Sequence, residues 1–175
     1  QLFLQNCLIT SKGDGLKLLL TPSEVNQSSD ISLDHVTFST NSAAIHLEST
    51  RNDSGTSPTR LFVDYCAVIS SVDAKEGDTA DTAAFVESTG PTIDSKQIEW
   101  WGNSNGVAKD IPILMRRSGS APITTVADWN LLWGENNDLR LLTGIDGVRL
   151  ATALPNKLTG LKPSSFQLDL TTPSA

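Results

Sequence analysis

The chain has 175 residues, of which 38% are hydrophobic, and this size predicts one folded domain with a sizeable core. Its net charge is −7, with 20 acidic residues against 13 Lys and Arg. Phosphate binding needs clustered basic side chains, and the one adjacent basic pair is Arg116-Arg117, so the charge argues against a nucleic-acid partner. No apolar run approaches the ~18 residues of a membrane span.

One pattern recurs about every thirty residues along the first third of the chain. Residues 2–7, 31–36 and 61–66 read LFLQNC, ISLDHV and LFVDYC, with apolar residues at the first, third and sixth positions. The starting residues are 29 and then 30 positions apart. A repeat of this length with strand-like alternation is typical of a chain that coils and stacks on itself.

A second strand in each repeat has the same period. It begins at Leu16 in the first repeat, lies around Ile45 in the second, and is predicted at residues 84–86 in the third. Residues rich in Ser, Thr, Asn, Asp, Gly and Pro separate these segments, as expected of surface turns. The pattern therefore predicts coils of two strands each, over residues 1–119.

The fourth coil is less regular. Residues 97–101 are predicted to form its first strand, followed by a turn at 102–106. Residues 111–116 are predicted to form its second strand, where Pro112 indicates an edge position or a bend because proline cannot donate to a ladder.

A short helix and a cap are predicted after the coils. Thr125 and Asp128 have the spacing of a capping box, Trp129 and Trp133 follow at helical spacing, and Gly134 is a suitable stop. These features predict a helix over residues 126–133. Residues 138–142 and 166–170 are predicted strands within a cap that completes residues 120–175.

The two cysteines are predicted not to form a disulfide. Cys7 and Cys66 hold the same repeat position, with Val36 between them. Coils stacked ~4.8 Å apart would separate their Cα atoms by ~9–10 Å, beyond the ~7 Å that a disulfide can bridge.

The repeat resembles a known architecture, the right-handed parallel β-helix of the pectate lyase-like superfamily. The resemblance is carried by Leu2-x-Leu4-x-Asn6-Cys7-x-Ile9 with Gly15-Leu16-x-Leu18, and by Ile31-x-Leu33-x-His35-Val36-x-Phe38 with Ala44-Ile45-x-Leu47. It implies an all-β fold of about four coils. It implies no single activity, because the superfamily includes lyases, hydrolases, adhesins and binding scaffolds.

The coils and the Trp-rich segment after them also resemble, more loosely, β-helix regions of planctomycete membrane serine/threonine kinases. The chain has no Gly-rich phosphate loop, no His-Arg-Asp and no Asp-Phe-Gly. The resemblance therefore implies a non-catalytic region of such a protein.

Asp34 and Asp64 are the candidate catalytic pair. They occupy the same outward position on successive coils, after Gln5 in the first. Carboxylates ~5 Å apart could act as acid and base, because mutual repulsion separates their pKa values. The alternative is a solvated strand face, since the repeat places no basic residue beside them.

The two histidines have no metal-ligand spacing. His35 is predicted at a coil corner, where its side chain would bond the turn backbone. His46 is predicted to face outward between Lys17 and Val86. No Gly-x-Ser-x-Gly motif supports Ser-His-Asp catalysis.

An acidic loop contains Asp73, Asp78 and Asp81, and these three are candidate ligands for a loosely held Ca²⁺. The loop lacks the EF-hand spacing, so a solvated loop is the alternative. No cofactor is predicted.

All four tryptophans lie in the last third of the coils and in the helix: Trp100, Trp101, Trp129 and Trp133. They are predicted either to seal the end of the solenoid, which needs a cap, or to bind sugar rings as an aromatic patch. Alternation predicts that one of Trp100 and Trp101 points inward and the other outward.

The expected function is that of a non-catalytic scaffold, sensor or ligand-binding domain of a larger bacterial protein, acting outside the cytoplasm. The alternatives are a polysaccharide lyase or glycoside hydrolase using Asp34 and Asp64, or a carbohydrate-binding module using the tryptophans. A carbohydrate or cell-surface polymer is the expected partner. Because the chain starts within a strand at Gln1, an open first coil is expected to favour self-association.

Overall fold

The computed structural model describes residues 1–20, 29–49, 58–70, 83–90, 98–108, 111–134, 139–142, 149–150 and 168–169. Within these residues the chain forms four successive coils, each built from three short strands. The strands of the coils are β1 (Leu2–Gln5), β2 (Leu8–Ser11) and β3 (Leu16–Leu20); β4 (Ser29–Asp34), β5 (Thr37–Thr40) and β6 (Ala43–Ser49); β7 (Thr59–Asp64), β8 (Ala67–Ser70) and β9 (Ala84–Thr89); and β10 (Ile98–Asn103), β11 (Asn105–Ala108) and β12 (Ile113–Arg117).

Equivalent strands of successive coils pair in parallel and form three sheets. The strand orders are β1-β4-β7-β10 in the first sheet, β2-β5-β8-β11 in the second and β3-β6-β9-β12 in the third. The register keeps repeat positions together, with Leu4 opposite Leu33 and Leu33 opposite Val63. The chain is therefore a short parallel β-solenoid, which confirms the fold predicted from the repeat.

Each coil has three strands where the sequence predicted two. The long first strand is interrupted by one residue in the left-handed region, with φ of 53° at Asn6, His35, Tyr65 and Ser104. This conformation turns the chain from the first sheet into the second, because a residue with positive φ cannot continue a strand. The turn predicted over residues 102–106 is therefore too long. The chain turns at Ser104 alone, between β10 and β11.

The core lies between the three sheets and is filled by the inward positions of the repeat. Leu33, Val63 and Ile45 are fully buried in the middle coils. The equivalent first-coil residues Leu4 and Leu16 are only partly buried, because one neighbouring coil covers them rather than two. Burial of these core side chains stabilises the fold by ~25 cal/mol per Å² of apolar area.

The cysteines are both free thiols, as predicted. Cys66 is buried in the core, whereas Cys7 in the first coil is half-buried.

The helix α1 (Val126–Trp133) has the predicted bounds. The Thr125 side chain accepts a hydrogen bond of 3.1 Å from the Asp128 N–H, and the Gly134 N–H donates to the Asn130 carbonyl. The capping box is half formed. In the complete motif the Asp128 side chain would accept from the Thr125 N–H; here the Asp128 carboxylate accepts from the Thr125 hydroxyl at 2.7 Å.

Three further strands follow the helix within the described residues. They are β13 (Leu139–Leu142), which extends the second sheet beyond β11, and the antiparallel pair β14 (Arg149–Leu150) and β15 (Leu168–Asp169). Both strands predicted in the tail are therefore found, the second at the centre of its predicted range. Pro112 precedes β12, which lies at an edge of the third sheet as predicted. No helix in the described part of the chain is long and apolar enough to cross a bilayer.

Candidate functional site

The outer face of the first sheet carries a row of aromatic side chains. Parallel in-register strands place Phe3, Ser32, Phe62 and Trp101 opposite one another across four coils. Phe3 is 57% exposed and Trp101 is 51% exposed. The rings of Phe62 and Trp101 stack with centroids 6.4 Å apart and planes 18° apart. These four positions, three of which are aromatic, are called the aromatic row.

A row of polar side chains runs beside the aromatic row, two residues further along each strand. It consists of Gln5, Asp34, Asp64 and Asn103. Asp34 and Asp64 are therefore adjacent on neighbouring strands, as the repeat predicts. The face so formed combines flat apolar rings with carboxylates and amides.

Asp34 and Asp64 have opposite electrostatic surroundings. The Gln5 amide donates to Asp34 Oδ2 at 2.7 Å and His35 Nδ1 lies 2.6 Å from Asp34 Oδ1, and these contacts lower the pKa of Asp34. Burial, followed by the negative charge of Asp34, raises the pKa of Asp64. The pair therefore loses its two protons at different pH values.

His35 occupies the corner, as predicted, but its side chain does not take the predicted role. Its ring contacts the Asp34 carboxylate and stacks on Tyr65 of the next coil, with centroids 4.9 Å apart. The sequence predicted a bond to the turn backbone. The stack arises because the corner residues of successive coils share one conformation and lie above one another.

A charged row lies on the other side of the aromatic row. Arg60 donates to both carboxylate oxygens of Asp30, at 2.8 and 3.0 Å, and Glu99 is in register with Arg60. Arg60 lies four residues before Asp64 on β7, so this guanidinium pairs with Asp30 and is not beside the Asp34 and Asp64 pair.

Three of the four tryptophans form a single packed cluster. Trp129 of α1 is fully buried and meets Trp100 edge-on at 5.2 Å, while Trp133 lies 5.8 Å from Trp100. Phe85 stacks on Trp129 at 5.5 Å. The cluster joins the helix to the last coils, and Trp101 is left as the exposed tryptophan, in agreement with the alternation predicted for Trp100 and Trp101.

A different side-chain cluster lies on the outer face of the third sheet. His46 Nδ1 is 2.5 Å from Asp14 Oδ2, and His46 Nε2 is 2.8 Å from Thr89 Oγ1. Asp14 belongs to the turn before β3, His46 to β6 and Thr89 to the end of β9. Three successive coils thus contribute one residue each to a hydrogen-bonded chain.

The neighbour predicted for His46 in the third coil is wrong. His46 is in register with Lys17, as expected, but on the other side with Glu87, while Val86 is opposite Ile45. The repeat alignment failed because the third coil is longer: paired residues of β6 and β9 are 41 positions apart, not thirty. Because of the same difference in length, the repeat does not predict that Thr89 lies beside His46.

Two ion pairs flank this cluster. Lys17 Nζ is 2.6 Å from Glu48 Oε2, and Arg116 donates to Glu87 Oε2 at 2.7 Å. The hydrogen bond and charge of Glu48 raise the pKa of Lys17, and Lys17 lowers the pKa of Glu48 in return. Lys17 and Glu48 therefore both stay charged over a wider pH range than the free side chains.

Asp73, Asp78 and Asp81 lie outside the described residues. Among the residues that are described, no group of three or more His, Cys, Asp or Glu side chains has an arrangement that could hold a metal ion.

The geometry defines the class of the molecule as a parallel β-solenoid with an aromatic and polar row on one outer face. Comparisons of the chain with protein-family models, with curated proteins and with solved structures found no match.

Proposed function

We propose that the chain is a ligand-binding domain that binds an extended glycan on the outer face of its first sheet and is non-catalytic towards that glycan. The observation that carries the proposal is the aromatic row, in which Phe3, Phe62 and Trp101 are at equivalent positions of three coils. Exposed aromatic rings at one register position are costly in water and serve no core.

The chemistry of the face suits a sugar polymer. The faces of sugar rings present C–H groups that pack on aromatic rings, and their hydroxyls hydrogen-bond with carboxylates and amides. The aromatic row offers the first kind of contact. The neighbouring polar row, with Asp64 and Asn103, offers the second.

The shape of the face favours a polymer over a compact ligand. Strands in a sheet are ~4.8 Å apart, so four strands in register extend the row over ~14 Å. Small molecules usually bind in concave sites that enclose them. A row of contacts that crosses four strands instead matches an extended ligand.

Binding to a panel of immobilised polysaccharides, measured by affinity electrophoresis, tests the proposal. We expect Trp101→Ala to weaken binding about 10-fold or more, because truncating an aromatic hot-spot contact commonly costs at least ~2 kcal/mol. Leu131→Ala is the matched control, since Leu131 is 86% exposed on α1, away from the row. Unchanged binding by the Trp101→Ala and Phe62→Ala variants would contradict the proposal.

A second candidate function is glycoside or polyuronide cleavage by Asp34 and Asp64. Their adjacency and the opposite shifts of their pKa values favour it, because a raised pKa suits an acid and a lowered one a base. Release of reducing ends or unsaturated products from a polysaccharide panel would support it. Asp64→Asn should then abolish product release and leave binding intact, whereas Leu131→Ala, away from the row, should retain cleavage.

We also propose the setting of the domain: a larger bacterial protein of pectate lyase-like ancestry, acting outside the cytoplasm, with a membrane kinase-like protein as the parent. The resemblance of the repeat and of the Trp-rich segment supports it. The full-length reading frame tests it. A parent without any export signal or membrane span would contradict the extracytoplasmic setting.

A further inference from the structure

The chain of hydrogen bonds from Asp14 through His46 to Thr89 has the connectivity of a nucleophile-activating relay. A carboxylate, an imidazole and a hydroxyl are joined in that order, through the two different ring nitrogens of the imidazole. This is the connectivity by which hydrolases of several unrelated folds activate a hydroxyl. The cluster is called the relay below.

The protons of the relay follow from its chemistry. An ionised carboxylate can only accept, so His46 Nδ1 carries a hydrogen and donates it to Asp14 Oδ2. In the neutral ring Nε2 then has the lone pair and accepts from the Thr89 hydroxyl. The Thr89 proton is therefore already directed at the group that would remove it.

Asp14 is held in the ionised form and in a fixed position. Burial alone would raise the pKa of its carboxyl, but hydrogen bonds from His46, Ser42 and the Ala43 N–H outweigh this and lower it. The Ala43 N–H donates to Asp14 Oδ1 at 3.2 Å, which leaves Oδ2 for the imidazole. The His46 side chain is only 13% exposed, so its ring has little freedom to rotate away.

The residue that carries the hydroxyl at the end of the relay is partly exposed. Thr89 is half-buried and is the last residue of β9. The next residue, Gly90, is exposed and has φ of 97°, and a Cβ there would collide with the Ser49 carbonyl. Only glycine allows this close approach, and the chain leaves the sheet directly after Thr89.

We propose that Thr89 is a nucleophile that attacks the carbonyl carbon of an ester, with His46 as general base and Asp14 as the residue that orients His46. In the first step Thr89 Oγ1 forms a bond to the carbonyl carbon while its proton passes to His46 Nε2. The tetrahedral intermediate then expels the alcohol, which takes that proton. Water, deprotonated by His46, hydrolyses the acyl-threonine and restores the starting state.

Two ion pairs surround the relay. Lys17 is in register with His46, and its partner Glu48 is in register with Thr89. Arg116 lies in the row that contains His46 and Glu87, and it donates to Glu87. Each cation is therefore balanced by a carboxylate beside the relay.

This activity is separate from the proposed glycan binding. The relay is on the outer face of the third sheet, whereas the aromatic row is on the outer face of the first. Either can be present without the other.

The test uses the full chain and p-nitrophenyl acetate as the probe. Released nitrophenolate gives the rate, and peptide mapping by mass spectrometry after an acid quench gives the acetylated residue. We expect the acetyl group on Thr89, and a rate that falls at least ~100-fold in Thr89→Val and His46→Gln, the usual contribution of general-base catalysis. Thr89→Ser should retain acetylation at position 89.

Thr37→Val is the matched control, because Thr37 is also a half-buried strand threonine but lies on β5, away from the relay. It should react at the rate of the parent chain. Circular dichroism checks that each variant is folded, and Thr89→Val is the deciding one because it removes only a hydroxyl. Acetylation of Thr89→Val at the parental rate, or an acetyl group found only on lysines or the amino terminus, would overturn the proposal.

Discussion

At the scale of single residues, the corner between the first and second sheets distinguishes the coils. Each corner has a left-handed residue followed by an inward one, and the inward residue is Cys7, Val36, Cys66 or Asn105. Asn105 is the polar exception. Its Oδ1 accepts from the Cys66 N–H at 2.9 Å and its Nδ2 donates to the Val63 carbonyl at 2.5 Å, so its amide ties the fourth coil to the third.

We predict that Asn105→Ala lowers the free energy of unfolding by about 1–3 kcal/mol. The substitution removes the side-chain acceptor of the buried Cys66 N–H, and a buried donor without a partner costs about 1–3 kcal/mol. Urea denaturation followed by circular dichroism measures the change. Asn103→Ala is the control, since Asn103 is exposed two residues earlier and should change stability by less than ~0.5 kcal/mol.

Cys66 predicts a pH dependence of stability. Burial raises the pKa of its thiol from the ordinary value of 9.0 to about 11. Since the unfolded thiol ionises first, its contribution to stability is complete below about pH 9 and is lost as the pH rises towards 11. The loss is at most ~1.4 kcal/mol per pH unit.

Urea midpoints measured at several values between pH 8 and pH 11, spanning the range set by the two pKa values, check this prediction. Cys66→Val should flatten the curve, because valine stands at the same position in the second coil and does not ionise. Cys7→Val should leave it unchanged. A Cys66→Val curve that falls as steeply as the parent's would show that other groups cause the decline.

At the scale of elements, α1 acts as a lid on the last coils. Its Trp129 is fully buried against Phe85 and Trp100, while Leu131 on the opposite side is exposed. An eight-residue helix is too short to be stable alone, so it depends on this packing and on the Thr125 cap. The tryptophan cluster thus serves stability, and the exposed Trp101 serves the proposed binding.

We predict that Trp129→Ala lowers the free energy of unfolding by about 3–5 kcal/mol, the usual cost of truncating a buried aromatic side chain. Leu131→Ala on the same helix should change it by less than ~0.5 kcal/mol. Thermal and urea unfolding measure both. Equal effects of the two substitutions would mean that the helix does not pack as a lid.

At the scale of the whole molecule, the first and fourth coils of the described residues differ. On the fourth coil, β13 pairs with β11 and the tryptophan cluster packs against the core, although β10 and β12 lie at sheet edges. On the first coil, β1, β2 and β3 all lie at sheet edges, with half-buried apolar residues such as Leu2 and Ile9. Edge strands of parallel sheets can pair with another chain, because one row of their backbone groups lacks a partner strand. The end formed by β1 to β3 is therefore the expected surface for self-association.

We predict that the chain self-associates in a concentration-dependent way and that Leu2→Lys prevents it, because a charge would be buried where two first coils meet. Sedimentation velocity over a range of concentrations measures this. Leu19→Lys is the control, since Leu19 is exposed on the outer face of β3 and should not affect a contact made end to end. A parent chain that stays monomeric at all concentrations would contradict the prediction.

The sequence by itself determined the solenoid, its period, the helix over residues 126–133 and the separation of the two cysteines. These follow from local signals: alternation, a regular repeat and capping residues act within a few positions or one period. The adjacency of Asp34 and Asp64 followed too, because their coils differ in length by no more than one residue. The sequence also predicts the alignment of the aromatic row, because Phe3, Ser32 and Phe62 share the second position of the motif.

Only the tertiary structure decided the third strand of each coil and the relay of Asp14, His46 and Thr89. A single left-handed residue breaks each long strand. Residues as different as Asn6 and Tyr65 adopt that conformation, so the residue type at this position does not predict the break. The relay joins residues 32 and 43 positions apart across coils of unequal length. Backbone hydrogen bonds between coils set that register, and the lengths of the intervening loops do not reveal it.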